Sequence, residues 1–331
     1  MKRLKIVTLV LASIFIIAVT TANEPKQQDI KYAIFDLGGV VYGTDNDKFT
    51  NAVGKSKFVW AGAWAIRAEQ KKKVKAEIRS NMFEILNGIT PRKPGQIICK
   101  DDSGEFEIPQ IMCDWMQGVP CKQLMKQIHD HIDNNPEIFK NSSQKDLYTA
   151  IIDAALTPEI FVDTRYFYEE AQKLAEWCLQ NGLELYGLTN WNGEAFAGIK
   201  KRDPEFFALF KGFISSSDAK TMKPGPGIFK HAEQEWKKVG NFNLAQAVLI
   251  DDQPENIDGA KAVGAQGILV TKTEDNTPEL DKVYGHLTKL CNIKNESEEE
   301  TPEPENDNND DDDDDDEEII SPATPSIYFK V

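Results

Sequence analysis

Short apolar runs that stop at a polar residue recur along the chain. Tyr32-Ala33-Ile34-Phe35 is stopped by Asp36 and then by the pair Gly38-Gly39. Leu183 to Leu188 runs into Thr189-Asn190, a strand over 213–217 precedes the loop carrying Lys223-Pro224, and Ala247 to Ile250 runs into Asp251-Asp252. Apolar runs of this length, bounded by turn formers, predict fully buried parallel strands. Between them apolar positions recur at helical spacing. Residues 165–180 read as an amphipathic helix closed by Asn181-Gly182, a favourable stop signal. Trp191-Asn192-Gly193 begins another helix, and more are expected over 226–238, 254–263 and 278–290, with a last strand over 266–270. Strands alternating with helices predict an α/β fold built on a doubly wound parallel sheet.

The pattern changes between about Lys48 and Leu156, where the spacing is mostly helical. A charged helix ends near Leu86-Asn87-Gly88, residues 90–109 are broken by Pro and Gly into loop or short strands, and Pro120 to Ile132 is helical again. His129 and His131 lie two apart on that helix, so they diverge and read as ordinary helix residues rather than a metal pair. The expected organisation is a core from residues 30–50 and 157–292 around a helical block, 51–156.

Both ends differ from this interior. Met1 to Lys5 is basic, Ile6 to Val19 is apolar apart from Thr8 and Ser13, and Thr20-Thr21-Ala22 is small. That layout predicts a signal peptide over residues 1–22, cleaved after Ala22, and an exported protein, periplasmic or secreted. The apolar run is shorter than the ~20 residues a membrane span needs, so no stable insertion is expected after cleavage. The formal net charge of −16 belongs to the other end. Between Glu296 and Glu318 lie 16 acids and no Lys or Arg. The 38 acids that remain match the 38 bases of the chain. Residues 296–331 therefore predict an acidic disordered tail, open to an unknown partner, and the charge implies nothing about the substrate. No nucleic-acid partner is expected. Five cysteines, Cys99, Cys113, Cys121, Cys178 and Cys291, leave one thiol over in any pairing; the first three share the helical block, and none has zinc-site spacing.

The chemistry sits at the strand ends. In chain order they carry Asp36, then Thr189-Asn190, then Lys223-Pro224, then Asp251-Asp252. Taken singly each has a plain structural use. Thr189-Asn190 and Asp251-Asp252 suit helix starts, the latter before Gln253-Pro254, and Lys223-Pro224 suits a turn. Taken in order, the set resembles the haloacid dehalogenase-like (HAD) hydrolase superfamily over residues 30–50 and 157–290, most of whose members are magnesium-dependent phosphatases. The resemblance implies a Rossmann-like core with an inserted helical cap that selects a small phosphorylated substrate. It implies Asp36 as nucleophile, forming an aspartyl-phosphate, and Lys223 as a fixed positive charge. It implies phosphate donors at the N–H groups of Leu37 and Gly38, at the Thr189 hydroxyl and at the Asn190 N–H. It implies a Mg²⁺ ion held by Asp36, the carbonyl of Gly38 and Asp252, with help from Asp251.

One position departs from the pattern. The family's phosphatases usually carry a second Asp two residues after the first, to protonate the leaving oxygen; here that residue is Gly38. Members with Asp-x-Gly resemble this chain more closely and act on sugar phosphates. Loss of that acid removes a contribution of about 10²–10⁴-fold. Two alternatives stand beside the phosphatase: a metal-independent dehalogenase of the same superfamily, and a non-catalytic binding protein that keeps the fold.

Overall fold

The computed structural model describes residues 29–61, 68–92, 95–101 and 106–293. The segment read as a signal peptide and the acidic tail lie outside the described residues. Among the described residues no helix is long and apolar enough to cross a membrane.

Five parallel strands form the main sheet. They are β1 (Tyr32–Phe35), β4 (Glu184–Thr189), β5 (Gly212–Ser215), β6 (Ala247–Asp251) and β7 (Gln266–Leu269), with β2 (Tyr42–Thr44) and β3 (Arg165–Phe167) forming a separate ribbon. The order across the main sheet is β5-β4-β1-β6-β7. Alternate residues of β1 enter different cores. Ala33 and Phe35 join one apolar cluster, Tyr32 and Ile34 the other. Both faces are covered, which is why the strand reads as an unbroken apolar run. The chain departs from β1 towards β4 on one side and β6 on the other, so the order reverses at β1. The crevice at the carboxyl ends of strands around such a switch point is where an open α/β sheet presents ligand groups.

Helices complete the layers. Asn192 caps the helix Gly193–Arg202, its side chain accepting from the N–H of Glu194 and Ala195. Pro226 and Pro254 open the helices Pro226–Trp236 and Pro254–Ala262, where a missing N–H costs nothing. A last helix spans Leu280–Cys291.

Two sequence expectations are corrected. Residues 165–167 are not the first turn of a helix. They pair antiparallel with β2, Thr44 opposite Arg165 and Tyr42 opposite Phe167, and the helix begins at Glu169. Periodicity cannot distinguish a three-residue strand from a helix start. The strand 213–217 in turn ends at Ser215, whose hydroxyl caps the short helix Ser216–Ala219 through a capping box.

The β2–β3 ribbon brackets the helical segment. The chain leaves at Thr44 and returns at Arg165, tied by the Asp45 N–H to the Thr164 carbonyl at 2.8 Å. Between them run helices Asn46–Val53, Lys55–Trp60, Ala68–Ile89, Gln110–Met116, Cys121–Asn134, Ser142–Leu156 and Pro158–Asp163. Leu124, Ile128, Ile132, Leu147 and Ile152 from these helices belong to the same apolar cluster as Phe35 and Ile250 of the sheet. His129 pairs with Asp153 at 2.7 Å, and His131 contacts Asn135; they share no ligand. All five cysteines are free thiols.

Candidate active site

β1 delivers Asp36 to the centre of the sheet's carboxyl edge. The Asp36 N–H still donates to Ile250 at 2.9 Å, extending the ladder by one residue. The chain then turns. Gly39 has φ +78, a left-handed conformation that favours glycine, and its N–H donates to the Tyr42 carbonyl at 2.8 Å. Among the described residues nothing accepts from the N–H of Leu37 or Gly38. Two adjacent amides are thus left as donors beside the carboxylate.

Lys223 lies under that carboxylate. Its Nζ is 2.7 Å from Asp36 Oδ1 and 2.6 Å from Asp251 Oδ2, and the side chain is 1% exposed. The backbone around it is clamped by Asn190, whose Nδ2 donates to the Lys223 carbonyl at 3.0 Å while Oδ1 accepts from the Lys223 N–H at 2.9 Å. The Asn190 side chain therefore positions Lys223. Asp251 is equally committed. Its Oδ1 accepts from the Gln253 N–H and from Asn256 Nδ2, each at 2.9 Å. The helix-start role read from the sequence falls on this carboxylate, which is also paired with Lys223. Thr189, at the end of β4, is fully buried, and its hydroxyl has no partner among the described residues.

Asp252 points differently. Its Oδ2 lies 2.5 Å from Lys272 Nζ. One oxygen each from Asp36, Asp251 and Asp252 lie within 4.8 Å of one another. Three hard carboxylate donors on a polar floor are a fitting set for Mg²⁺, which favours few carboxylates and several waters. Asp36 and Asp252 line a cavity of about 170 Å³, whose wall also includes Gly38, Tyr42, Arg165, Thr189 and Trp191.

Trp191 explains the departure at position 38. A Cβ on Gly38 would lie 3.2 Å from the Trp191 indole nitrogen. The ring is fixed from behind, 5.1 Å from Phe161 and 5.7 Å from Tyr42 between centroids. The indole thus stands where a side chain at 38 would project. Gly38 itself is not at positive φ; that feature belongs to Gly39.

A model of the haloacid dehalogenase-like hydrolase family matches residues 30–264. The chain belongs to the haloacid dehalogenase-like hydrolase family. Comparison with curated proteins finds no match. Among solved structures, a HAD family enzyme of Bacteroides thetaiotaomicron, bt-2542, in complex with magnesium and inorganic phosphate is 16% identical, with 73% of this chain and 94% of that chain covered and a TM-score of 0.44. The HAD-hydrolase YfnB of Bacillus subtilis, bound to magnesium, is 14% identical, with 78% and 99% covered and a TM-score of 0.46. A dehalogenase is 14% identical, with 79% and 96% covered and a TM-score of 0.44. At these scores the likenesses add nothing to the family assignment, which rests on the match along the sequence.

In this HAD-like site, burial dominates the electrostatics. It pushes the Asp36 carboxyl up to about 8, against the pull of Lys223 and with a further push from Asp251 and Asp252. Burial also works against the charge on Lys223, but Asp251 and Asp36 outweigh it and hold the ammonium above its ordinary value. Burial thus favours the protonated form of Asp36, and added positive charge nearby favours the carboxylate.

All the residues singled out at the strand ends converge within this one crevice. The sequence reading missed Trp191, Lys272 and the close approach at Gly39, where a Cβ would lie 2.2 Å from Asp252 Oδ2. A glycine pair after Asp36 was a signal for close approach; Thr271-Lys272-Thr273 carries none.

Proposed function

We propose that the chain hydrolyses small phosphate monoesters, sugar phosphates among them, through a covalent phosphoryl group on Asp36. The observation that carries this reading is the unpartnered Thr189 hydroxyl together with the free N–H groups of Leu37 and Gly38 around the Asp36–Lys223 pair. Buried donors without partners are costly unless a ligand accepts from them. A tetrahedral anion with several oxygens does so.

Asp36 attacks phosphorus and the bond to the ester oxygen breaks. The N–H groups of Leu37 and Gly38, the Thr189 hydroxyl and the Lys223 ammonium hold the transferred oxygens. The leaving oxygen takes its proton from water, because Trp191 rather than a carboxyl group faces it. Water then attacks the phosphorus, phosphate leaves, and the Asp36 carboxylate returns. Asp36, Asp252 and the Gly38 carbonyl would hold a Mg²⁺ ion, which would supply positive charge against the repulsion between the carboxylate and the phosphate. The helices between β2 and β3 serve as the cap. The basic start, apolar run and small residues of 1–22 support export of the chain from the cytoplasm.

A metal-independent dehalogenase is the second reading. It is favoured by one observation, the Lys272 ammonium already paired with Asp252. One assay separates the two: phosphate release from nitrophenyl phosphate against chloride release from 2-chloropropionate, each with Mg²⁺ and with a chelator. Mg²⁺-dependent phosphate release that falls by ~10³-fold in Asp36→Asn supports the phosphatase. Chloride release in chelator moves the assignment to the second reading, and neither product leaves a binding protein.

A further inference from the structure

Lys272 belongs to none of the strand-end motifs, yet the fold places it with care. It follows β7 in a segment folded back on itself. The Glu279 N–H donates to the Thr271 carbonyl at 2.8 Å, Lys272 bridges to Pro278, and the Thr273 N–H donates to the Thr277 carbonyl at 2.9 Å. The side chain reaches from this loop to Asp252, which lines the cavity, and ends 2.5 Å from its Oδ2. Asp252 is 5% exposed and Lys272 24%. A Cβ on Gly39 would lie 2.8 Å from the Lys272 nitrogen, so the turn after Asp36 leaves room for that ammonium.

We propose that Lys272 is a built-in competitor for the divalent cation at Asp252. It weakens metal binding in the empty site and makes metal and phosphate bind together. The inference rests on the metal site proposed above. Counted over five groups alone and with all of them ionised, Asp36, Asp251 and Asp252 against Lys223 and Lys272 carry one net negative charge. A divalent cation alone turns that into one net positive charge. A phosphate dianion restores the original value, so each ligand favours the other. If position 272 is neutral, the cation meets two net negative charges and binds well without phosphate. Lys223 cannot play this part, because two carboxylates and the Asn190 clamp hold it in place. Lys272 can withdraw towards solvent along a flexible stem.

The test is direct metal binding to the full chain, by calorimetry with Mg²⁺ and by electron paramagnetic resonance with Mn²⁺, for wild type, Lys272→Gln and Lys272→Arg. An ammonium a few ångströms from a divalent ion weakens its binding by about tenfold or more even when largely solvent-screened. Lys272→Gln is expected to bind either ion about tenfold tighter than wild type. Lys272→Arg is expected to match wild type. Added inorganic phosphate should tighten metal binding more in wild type than in Lys272→Gln. If Lys272→Gln loosens the loop on a thermal melt, Lys272→Met keeps the aliphatic stem and carries the same expectation. Equal affinities in wild type and the neutral variants overturn the competitor role while leaving the metal site standing. No binding by any variant at millimolar metal overturns both.

Discussion

Two ammonium–carboxylate pairs stand within one crevice, and they are built in opposite ways. Lys223 touches two carboxylates, is 1% exposed, and has its backbone clamped by Asn190. Lys272 pairs with Asp252, is 24% exposed, and comes from a loop beyond the last strand. The inner pair belongs to the interior, where a lone charge is expensive, and Asp36 Oδ1 and both Asp251 oxygens have partners. In the outer pair Asp252 lines the cavity and the Lys272 side chain is partly exposed, so water can replace either partner. The difference shows that charge near a site is not one property. A buried cation is part of the scaffold that holds Asp36 in place, and a partly exposed cation has solvent to move into.

The comparison breaks most visibly at Lys223. Lys223→Met strands two buried carboxylates and is expected to cost about 3–5 kcal/mol of stability, read from denaturant unfolding, and to abolish hydrolysis. A cost below about 1 kcal/mol would show that water reaches the inner pair and that the contrast is false.

The next effect concerns the vacant acid. Gly38→Asp alone crowds the Trp191 indole and should lose about 1–3 kcal/mol, as overpacked sites do. Trp191→Ala in the same chain should recover part of that loss. The folded double variant should gain on alkyl over nitrophenyl phosphates by about 10²-fold, since an alkoxide needs a proton and a nitrophenolate does not. An unchanged alkyl-to-aryl ratio in that variant would mean that another group already donates the proton.

A smaller effect follows from burial of Asp36. Its carboxyl is raised from 3.8 to about 8 in the folded protein, so the folded state binds the proton more tightly than the unfolded chain. The stability this contributes is complete below the unfolded value and is lost as pH rises through the folded one. Asp36→Asn mimics the protonated acid and has no such loss. Without metal it is expected to become more stable than wild type as pH rises from 5 to 9, by at least the ~1.4 kcal/mol that one pKa unit represents. A constant difference across that range would mean that Asp36 is ionised throughout, as the inner pair's geometry alone would permit.

The smallest effect is at the outer pair. Lys272→Gln is expected to change metal-free stability by about 1 kcal/mol or less, because the ion pair borders water. A thermal melt beside Lys223→Met measures the contrast directly.

Much of this architecture was readable before any coordinates. β1, β4 and β6 are buried on both faces, so they appear as apolar runs, and their ends carry Asp36, Thr189 and Asp251-Asp252. Helix starts at Trp191-Asn192-Gly193, near 226 and at Pro254 were equally plain. The β2–β3 ribbon was not. Each strand has three residues, the partners lie far apart along the chain, and Arg165-Tyr166-Phe167 fits a helix start as well as a strand. Trp191 and Lys272 were missed for a different reason: neither forms a pattern with its neighbours in sequence, and each matters only through what lies across the crevice.

The chain's own pattern therefore determined its layers and which carboxylates and cation reach the sheet's edge, because burial on two faces is written into every residue of a strand. Tertiary structure alone decided what each of them is for. Asp251 and Asp252 are neighbours, yet one is spent on Lys223 and a helix start, and the other turns to the cavity and Lys272. Nothing local separates two adjacent aspartates; the partners that do so arrive from Lys223, in the loop after β5, and from a loop beyond β7, by packing.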